Sequence, residues 1–380
     1  MQAGQRSPSL RPSRGVTLIE ILVGIAIGLI GMLVMFQTIT VWDARTRVST
    51  SSGDAQIAGS LAMFNLERDL RLAGMGFGAA GTAELGCVVY AYDNTASAGG
   101  SNFNLRPVNI VDGDPAGVPD TIEVLYGNSP FFAEAEEFTN ATASTLAATV
   151  KYGFKRGDVA VMTDKSNNCR LLQITDDTTA DPNTLSFGTG TYSNFYDNNP
   201  SEAVRWNSAA ASVPAISAGN LYNMGPAPRD DLWSVNTAST TLGYVNSMSS
   251  VNAGLFLGVA EGVVDMKAQY GYDADADKRI TDAEWTKTPP ADWTKVRAIR
   301  VALLVRSRDF EQPPTSASDV TTVTYRLSAP PTWFGQNFAM KNLDGTPDSD
   351  VFASPNNWRY YRYRVYEKVI PLRNMIWGQP

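Results

Sequence analysis

The stretch that decides the fold is residues 14–41, RGVTLIEILVGIAIGLIGMLVMFQTITV. From residue 16 onward it is almost entirely apolar, and at about 1.5 Å of rise per residue a helix of this length crosses a bilayer core. Residues 1–15 are polar and basic, so the positive-inside rule predicts that they stay in the cytoplasm and that everything after Trp42 is exported. The stretch therefore predicts a single-pass membrane protein with an exported C-terminal head.

The apolar stretch contains one acidic residue, Glu20, close to its start. A secretory signal peptide would have a shorter apolar core and an Ala-x-Ala-like cleavage site. A plain signal anchor does not explain a carboxylate in a lipid-facing helix, because such residues are costly and are normally kept for a function. Another interpretation remains open, since residues 17–20 have the T-x-x-E spacing of a helix capping box. A capping box alone leaves the glycine at position 15 unexplained.

The sequence RGVTLIE at residues 14–20 resembles the N-terminal signal of type IV prepilins and pseudopilins. In that family a prepilin peptidase cuts after the glycine and methylates the new N-terminus. The glutamate at the fifth mature position pairs with the N-terminal amine of a neighbouring subunit. The resemblance implies cleavage between Gly15 and Val16, N-methylation of Val16 and an assembly role for Glu20. The family usually begins its mature chain with Phe, whereas this chain has Val16.

Helical spacing continues beyond the apolar stretch, over residues 55–73. Two lines of apolar residues recur there: Ile57, Leu61 and Phe64 on one, and Ala62, Leu66, Leu70 and Ala73 on the other. Gly74 is typical of a helix C-terminus, and residues 49–53 could break or bend the helix. We therefore expect a transmembrane helix over residues 16–42 and its periplasmic continuation over residues 43–74.

The remaining residues, 75–380, are predicted to form a β-rich, loop-rich head, which makes the fold class α+β. The predicted strands are 87–92, 121–126, 159–163, 170–175, 263–272, 296–305, 321–327 and 363–370. In the strand 296–305 apolar residues alternate, and we expect this face to lie against the helix at 55–73. Residues 176–258 are expected to be loop-rich, with a small subdomain or flexible excursions.

The composition excludes several classes of function. The chain of 380 residues has a net charge of −7 and no histidine. Without histidine, Ser-His-Asp and Cys-His catalysis and HExxH zinc sites are excluded, which argues against an enzyme. An acidic exported part argues against a broad nucleic-acid-binding face. Two lone cysteines in an exported head, Cys87 and Cys169, can form one disulfide.

Residues 273–284, DADADKRITDAE, have the spacing of a calcium-binding loop. The acidic residues at its positions 1, 3, 5 and 12 and the carbonyl donor at position 7 are Asp273, Asp275, Asp277, Glu284 and Arg279. Position 6 should be glycine and is Lys278, whose charge also weakens the negative field. Two interpretations stand: a structural Ca²⁺ site, or a solvated acidic turn between two strands. No other cofactor is expected.

Several segments of the head resemble the minor pilins of the PilW type. They are residues 155–160, 270–273, 293–301 and 369–374. The resemblance implies a non-enzymatic subunit that waits in the inner membrane with a periplasmic head and joins other minor pilins and the major pilin. It would prime pilus growth near the tip at the cell surface, beside a tip adhesin, supporting adhesion and twitching motility. The alternatives are a minor pseudopilin of type II secretion, or a head that itself acts as an adhesin or DNA-uptake receptor.

Overall fold

A computed structural model of the chain gives the architecture. It describes residues 15, 17–95, 100, 102–113, 117–131, 134–164, 166–208, 215–249, 254–309, 329–340 and 358–378. Residues 1–14 of the expected leader (residues 1–15), Val16 and the predicted strand 321–327 lie outside the described residues.

The first element is a long helix, α1 (Leu18–Leu72), of 55 residues. It includes residues 49–53, where the sequence suggested a break. After its last turn, Gly74 has a φ of +78°, a left-handed conformation that glycine adopts without a steric penalty. The chain divides into two compact units, Met1–Ser52 and Gly53–Pro380, and α1 contributes residues to both.

Within the described residues the head contains twenty-one strands and one short α-helix, α2. They are β1 (Val88–Tyr90), β2 (Phe103–Asn104), β3 (Val108–Val111), β4 (Thr121–Tyr126), β5 (Glu136–Thr139), β6 (Thr145–Ala148), β7 (Val159–Thr163), β8 (Asn168–Gln173), β9 (Thr184–Ser186), β10 (Thr191–Tyr192), β11 (Glu202–Ala203), β12 (Gly219–Gly225), β13 (Arg229–Asn236), β14 (Thr241–Asn246), β15 (Leu257–Glu261), β16 (Val263–Tyr272), β17 (Trp285–Thr286), β18 (Val296–Arg306), β19 (Thr332–Trp333), β20 (Gln336–Asn337), β21 (Tyr363–Pro371) and α2 (Arg373–Gly378).

These strands form three larger sheets and two short ribbons. The sheets have the strand orders β2-β1-β8-β7-β12-β5-β6-β9, β15-β14-β13-β4-β3 and β17-β16-β18-β21. The ribbons are β10–β11 and β19–β20. Among the pairings of the described strands, β1 with β8 is parallel and the others are antiparallel. A long N-terminal helix followed by a strand-rich head confirms the predicted α+β class.

Residues 176–258 differ from the loop-rich subdomain that the sequence suggested. They contain β12, β13 and β14, which belong to the two largest sheets. β12 pairs with β5 and β7, and β13 pairs with β4, all of which lie outside this segment. The expectation of a separate subdomain is therefore wrong. Strands such as β12, with the sequence GNLYNMG, contain residues that favour turns when read alone.

The main hydrophobic core joins the C-terminal part of α1 to the sheets. Leu66 and Leu70 of α1 lie in the same buried cluster as Ile299 and Val301 of β18. This places the apolar face of β18 and the buried line of α1 in one core, as the alternation of residues 296–305 led us to expect. Burial of these aliphatic side chains is the main contribution to holding the helix on the head.

β18 is also buried on its second face, which the sequence did not predict. Ala302 and Leu304 point away from the main core and pack with Trp333 and Phe338 in a smaller cluster. Trp333 belongs to the β19–β20 ribbon, and Phe338 follows it directly. Because this cover comes from a distant part of the chain, the local pattern of β18 could not reveal it.

Candidate functional site

The predicted processing and assembly residues lie at the start of α1. Gly15 is exposed, and no described atom lies within 4 Å of the position that a Cβ would take there. Thr17 caps the first turn, because its Oγ1 accepts the backbone N–H of Glu20 at 3.4 Å. This bond uses the amide of Glu20 and leaves its exposed carboxylate out. The cap therefore explains the hydroxyl of Thr17 but does not require a carboxylate at position 20.

The N-terminal part of α1 is apolar on all sides. The segment Leu18–Ile39 has a mean hydropathy of 2.6, and 0% of it is buried. Among the described residues it is the one helix long and apolar enough to cross a membrane. A helix that is hydrophobic all round is stable when lipid or other protein surrounds it. The residues that the structure describes provide no such surroundings for this part of α1.

In the second part of α1, residues 53–72, one of the two predicted apolar lines is buried and the other is exposed. The residues of one line, including the one just after the helix, are fully buried: Ala62, Leu66, Leu70 and Ala73. The residues of the other line are Ile57, Leu61 and Phe64, which are 70%, 46% and 63% exposed. One line thus forms the core of the head, and the other leaves an apolar strip on its surface. The sequence showed both lines but could not tell which one faces inward.

Polar contacts add to the attachment of this part of α1. The carboxylate of Glu67 accepts hydrogen bonds from Lys368 of β21 at 2.6 Å and from Arg71 at 2.5 Å. The bond from Lys368 lowers the pKa of Glu67, and Arg71 adds to this effect, although burial opposes it. The indole of Trp233 on β13 donates to Asp69 at 3.2 Å. Sequence reasoning missed the Glu67–Lys368 pair because its members lie 301 positions apart.

The two cysteines are joined. Cys87 and Cys169 form a disulfide with their Cα atoms 6.1 Å apart. Glu84 lies three residues before Cys87 and accepts hydrogen bonds from Thr163 at 2.5 Å and Tyr222 at 2.7 Å. Burial opposes ionisation of Glu84, but these bonds and two further ones hold its pKa below the usual value. The disulfide and the carboxylate together fasten the chain entering β1 to the eight-stranded sheet.

The predicted calcium-binding loop connects β16 to β17. One carboxylate oxygen from each of Asp273, Asp275 and Asp277 lies within 4.8 Å of the other two. Asp273 is buried at the base of the loop, whereas the other two are exposed. Arg279 donates its backbone N–H to Asp277 Oδ1 at 2.7 Å, which places residue 279 at the edge of the cluster. The structure thus gathers the first three predicted ligands.

Glu284, the fifth predicted ligand, forms hydrogen bonds with other residues of the loop. Its Oε1 accepts the N–H of Ala274 at 3.0 Å, and its Oε2 accepts the N–H and hydroxyl of Thr281 at 2.8 and 2.9 Å. The hydrogen bonds from Thr281 lower the pKa of Glu284. The side chain, just before β17, therefore links the start of the loop at Ala274 to its end at Thr281, and it is not one of the three clustered carboxylates.

Two protein families match the chain. Residues 10–36 match the prokaryotic N-terminal methylation motif, and residues 241–374 match the Type IV Pilus-assembly protein W family. The first match contains Gly15 and Glu20. The second contains β16, β18 and β21 together with the acidic loop. No curated protein and no solved structure gives a significant match.

Proposed function

We propose that this type IV pilus-related, pilin-like protein, which resembles the PilW type, is a minor pilin that takes part in pilus assembly. The observation that carries the proposal is a prepilin-type N-terminus on a helix that is apolar on all sides in Leu18–Ile39 and bears a β-rich head. In this proposal the protein has a structural role and catalyses no reaction. It waits in the inner membrane with its head in the periplasm and later reaches the cell surface in the pilus.

The physical basis of assembly is the uncovered apolar surface of Leu18–Ile39 in α1. In the membrane, lipid solvates the apolar surface of Leu18–Ile39; in a fibre, the helices of neighbouring subunits replace the lipid. The carboxylate of Glu20 then pairs with the N-terminal amine of a neighbour, where a low dielectric strengthens the attraction of opposite charges. The exposed strip of Ile57, Leu61 and Phe64 gives neighbouring subunits a further apolar surface.

Processing is the first test of the proposal. Prepilin peptidase should cut between Gly15 and Val16, so N-terminal sequencing of the membrane form should begin at N-methylated Val16. Gly15→Leu should accumulate at the size of the precursor. Gly24→Leu is the matched control, because Gly24 also has no described atom within 4 Å of its Cβ position but lies inside the apolar helix. A mature chain that starts near residue 40 would contradict the pilin interpretation.

The kind of fibre is the second test. Deleting the gene should remove surface pili and twitching motility and leave type II secretion of exoproteins intact, and the wild-type gene should restore both losses. Loss of secretion with normal pili would identify a pseudopilin instead. Binding of a surface or of DNA by the purified full chain, without any other pilin, would identify the head as an adhesin or uptake receptor.

A further inference from the structure

We propose that the loop between β16 and β17 binds Ca²⁺ through the carboxylates of Asp273, Asp275 and Asp277. Three oxygens, one from each residue, already lie within 4.8 Å of one another. Ca²⁺ binds oxygen ligands at about 2.3–2.6 Å, so three oxygens around one ion lie within this mutual distance. The carbonyl of Arg279 and water molecules complete the six to eight ligands that this ion takes.

An independent observation concerns the buried side chain of Asp273. This residue is 0% exposed, and its Oδ1 has no hydrogen-bond partner within the described residues. Its Oδ2, in contrast, accepts the N–H of Lys278 at 3.1 Å and the Nε of Arg297 at 3.3 Å. A buried carboxylate oxygen without a partner carries a substantial desolvation cost. A cation in the cluster would give Oδ1 the partner that the described residues do not supply.

The arrangement differs from a solvated acidic turn in the position of Asp273. In a solvated turn all the carboxylates would face water, whereas of the three clustered ones Asp275 and Asp277 are exposed and Asp273 is buried. Arg297 does not remove the need for a ligand, because it contacts Oδ2 and leaves Oδ1 unpaired. The pairing of β16 with β17, through Gly271 with Trp285, also holds the two ends of the loop together. The three carboxylates are therefore positioned before a cation binds.

The donor set selects Ca²⁺ among the common cations. The ligands are all oxygens, and the chain has no histidine, so the site does not suit Zn²⁺. Mg²⁺ requires nearly ideal octahedral geometry and keeps several of its waters. Ca²⁺ accepts irregular sets of carboxylate and carbonyl oxygens. Glu284 acts as a positioning residue, because its two oxygens hold Ala274 and Thr281.

Lys278 explains how the loop departs from the usual sequence of such sites. It occupies the position where glycine is preferred, and it adopts the left-handed conformation, with φ of +67°, that glycine would adopt there. The backbone thus makes the sharp turn despite the Cβ atom. The positive charge of Lys278 next to the cluster reduces the affinity. We therefore expect weak binding in the wild-type chain and tighter binding in Lys278→Gly.

The test uses the full chain in detergent at moderate salt after removal of metals with a chelator. Ca²⁺ is titrated by calorimetry and in thermal melts, with Mg²⁺ in parallel. We expect saturable binding of one Ca²⁺ per chain, with a dissociation constant of about 0.1–1 mM, and a higher melting temperature. Mg²⁺ at the same concentration should give a smaller shift. Lys278→Gly should bind Ca²⁺ several-fold more tightly.

Two exposed carboxylates and one matched control locate the ion. Asp275→Asn and Asp277→Asn should each weaken binding about tenfold or more, since each removes a charged ligand. Asp282→Asn removes the same charge from the same loop but lies outside the cluster, and should bind as the wild type does. Equal weakening by Asp282→Asn would show a general charge effect and overturn the site. So would the absence of heat and of a melting shift at millimolar Ca²⁺ in both the wild type and Lys278→Gly.

Discussion

The two parts of α1 are built from the same helix but are stabilised in different ways. Leu18–Ile39 is 0% buried among the residues that the structure describes, so its apolar surface is exposed there. Residues 53–72 bury Leu66 and Leu70 completely and bind the head through Glu67. The first part depends on lipid or on other subunits, whereas the second depends on the head of the same molecule.

One continuous helix can therefore act as a membrane anchor in its first part and as part of the head's core in its second part. The two parts differ in how their apolar residues are arranged. In the first part they surround the helix, and in the second part they form one buried line and one exposed line. Substitutions should therefore act on different observables. Those in residues 53–72 should lower the stability of the head, and those in Leu18–Ile39 should affect membrane insertion or assembly.

The largest expected effect on head stability comes from removing the disulfide. Cys87 and Cys169 are 82 positions apart, so their bond restricts a long loop of the unfolded chain. Replacing both with Ala should lower the free energy of unfolding of the head by about 4 kcal/mol. Chemical denaturation of the full chain in detergent measures this loss. Equal stability of the wild type with and without reductant would contradict the prediction.

The next largest effect on head stability should come from shortening a buried leucine in the second part of α1. Leu66→Ala removes a side chain that is 0% exposed and should cost the head about 3 kcal/mol through lost burial and the cavity left behind. Leu33→Ala makes the same chemical change at a residue that is 60% exposed, and should leave unfolding of the head unchanged. Urea denaturation followed by tryptophan fluorescence compares the two variants. Similar losses in both would end the distinction between the two parts.

Much of the head could be predicted where apolar or β-branched residues recur along a strand. The predicted strands 121–126, 159–163 and 263–272 coincide with β4, β7 and β16. Each of them is rich in β-branched or other apolar residues and is bounded by residues that favour turns, so the local pattern was sufficient. The same holds for the prepilin-type N-terminus, whose spacing is entirely local.

The sequence was misleading where charged residues lie next to each other in a strand. β13 has the sequence RDDLWSVN, and two adjacent aspartates favour a loop when read alone. In the structure Arg229 pairs with Asp231 at 2.8 Å, and Ser247 donates to Asp230 at 2.6 Å. These partners make burial of the aspartates tolerable. Such pairings, like the one between Glu67 and Lys368, depend on the tertiary fold and are invisible to a local pattern.

A smaller effect is expected from the ion pair that joins α1 to β21. Glu67→Gln should lower the free energy of unfolding of the head by about 0.5–1 kcal/mol at pH 7, because Lys368 is 45% exposed and solvent screens the pair. The pKa of Glu67 is lowered in the folded state. Its contribution is therefore present above the unfolded pKa and is lost as the pH falls through the lower folded pKa.

Urea denaturation between pH 7 and pH 3 measures this dependence. The difference between the wild type and Glu67→Gln should shrink as the pH falls below about 4. Lys368→Gln is the matched variant, and the double variant should lose little more than either single one, since both changes break the same pair. A difference that stays constant with pH would show that the charge of Glu67 is not what stabilises the contact.

Glu20→Gln, like Leu33→Ala, should have no effect on head stability, and it provides the sharpest test of the anchoring part of α1. The cap at this end uses the hydroxyl of Thr17 and the backbone N–H of residue 20, and both remain in the variant. Glu20→Gln should therefore be cleaved, inserted into the membrane and folded as the wild type is. If the carboxylate pairs with the amine of a neighbouring subunit, the variant should be recovered with other minor pilins in lower amounts and should support fewer surface pili, because the partner charge is left buried and unpaired.

Thr17→Ala provides the opposite change, since it removes the cap and keeps the carboxylate. The two variants separate the interpretations that the T-x-x-E spacing left open. If Glu20 acts through its charge, Glu20→Gln impairs co-purification and piliation, and Thr17→Ala has a smaller effect. If residue 20 matters only as part of a helix cap, Thr17→Ala impairs assembly and Glu20→Gln does not. Because both residues lie at the start of α1, in the compact unit Met1–Ser52, any fall in the free energy of unfolding of the head in either variant would contradict the division of α1 into an anchoring part and a part that the head stabilises.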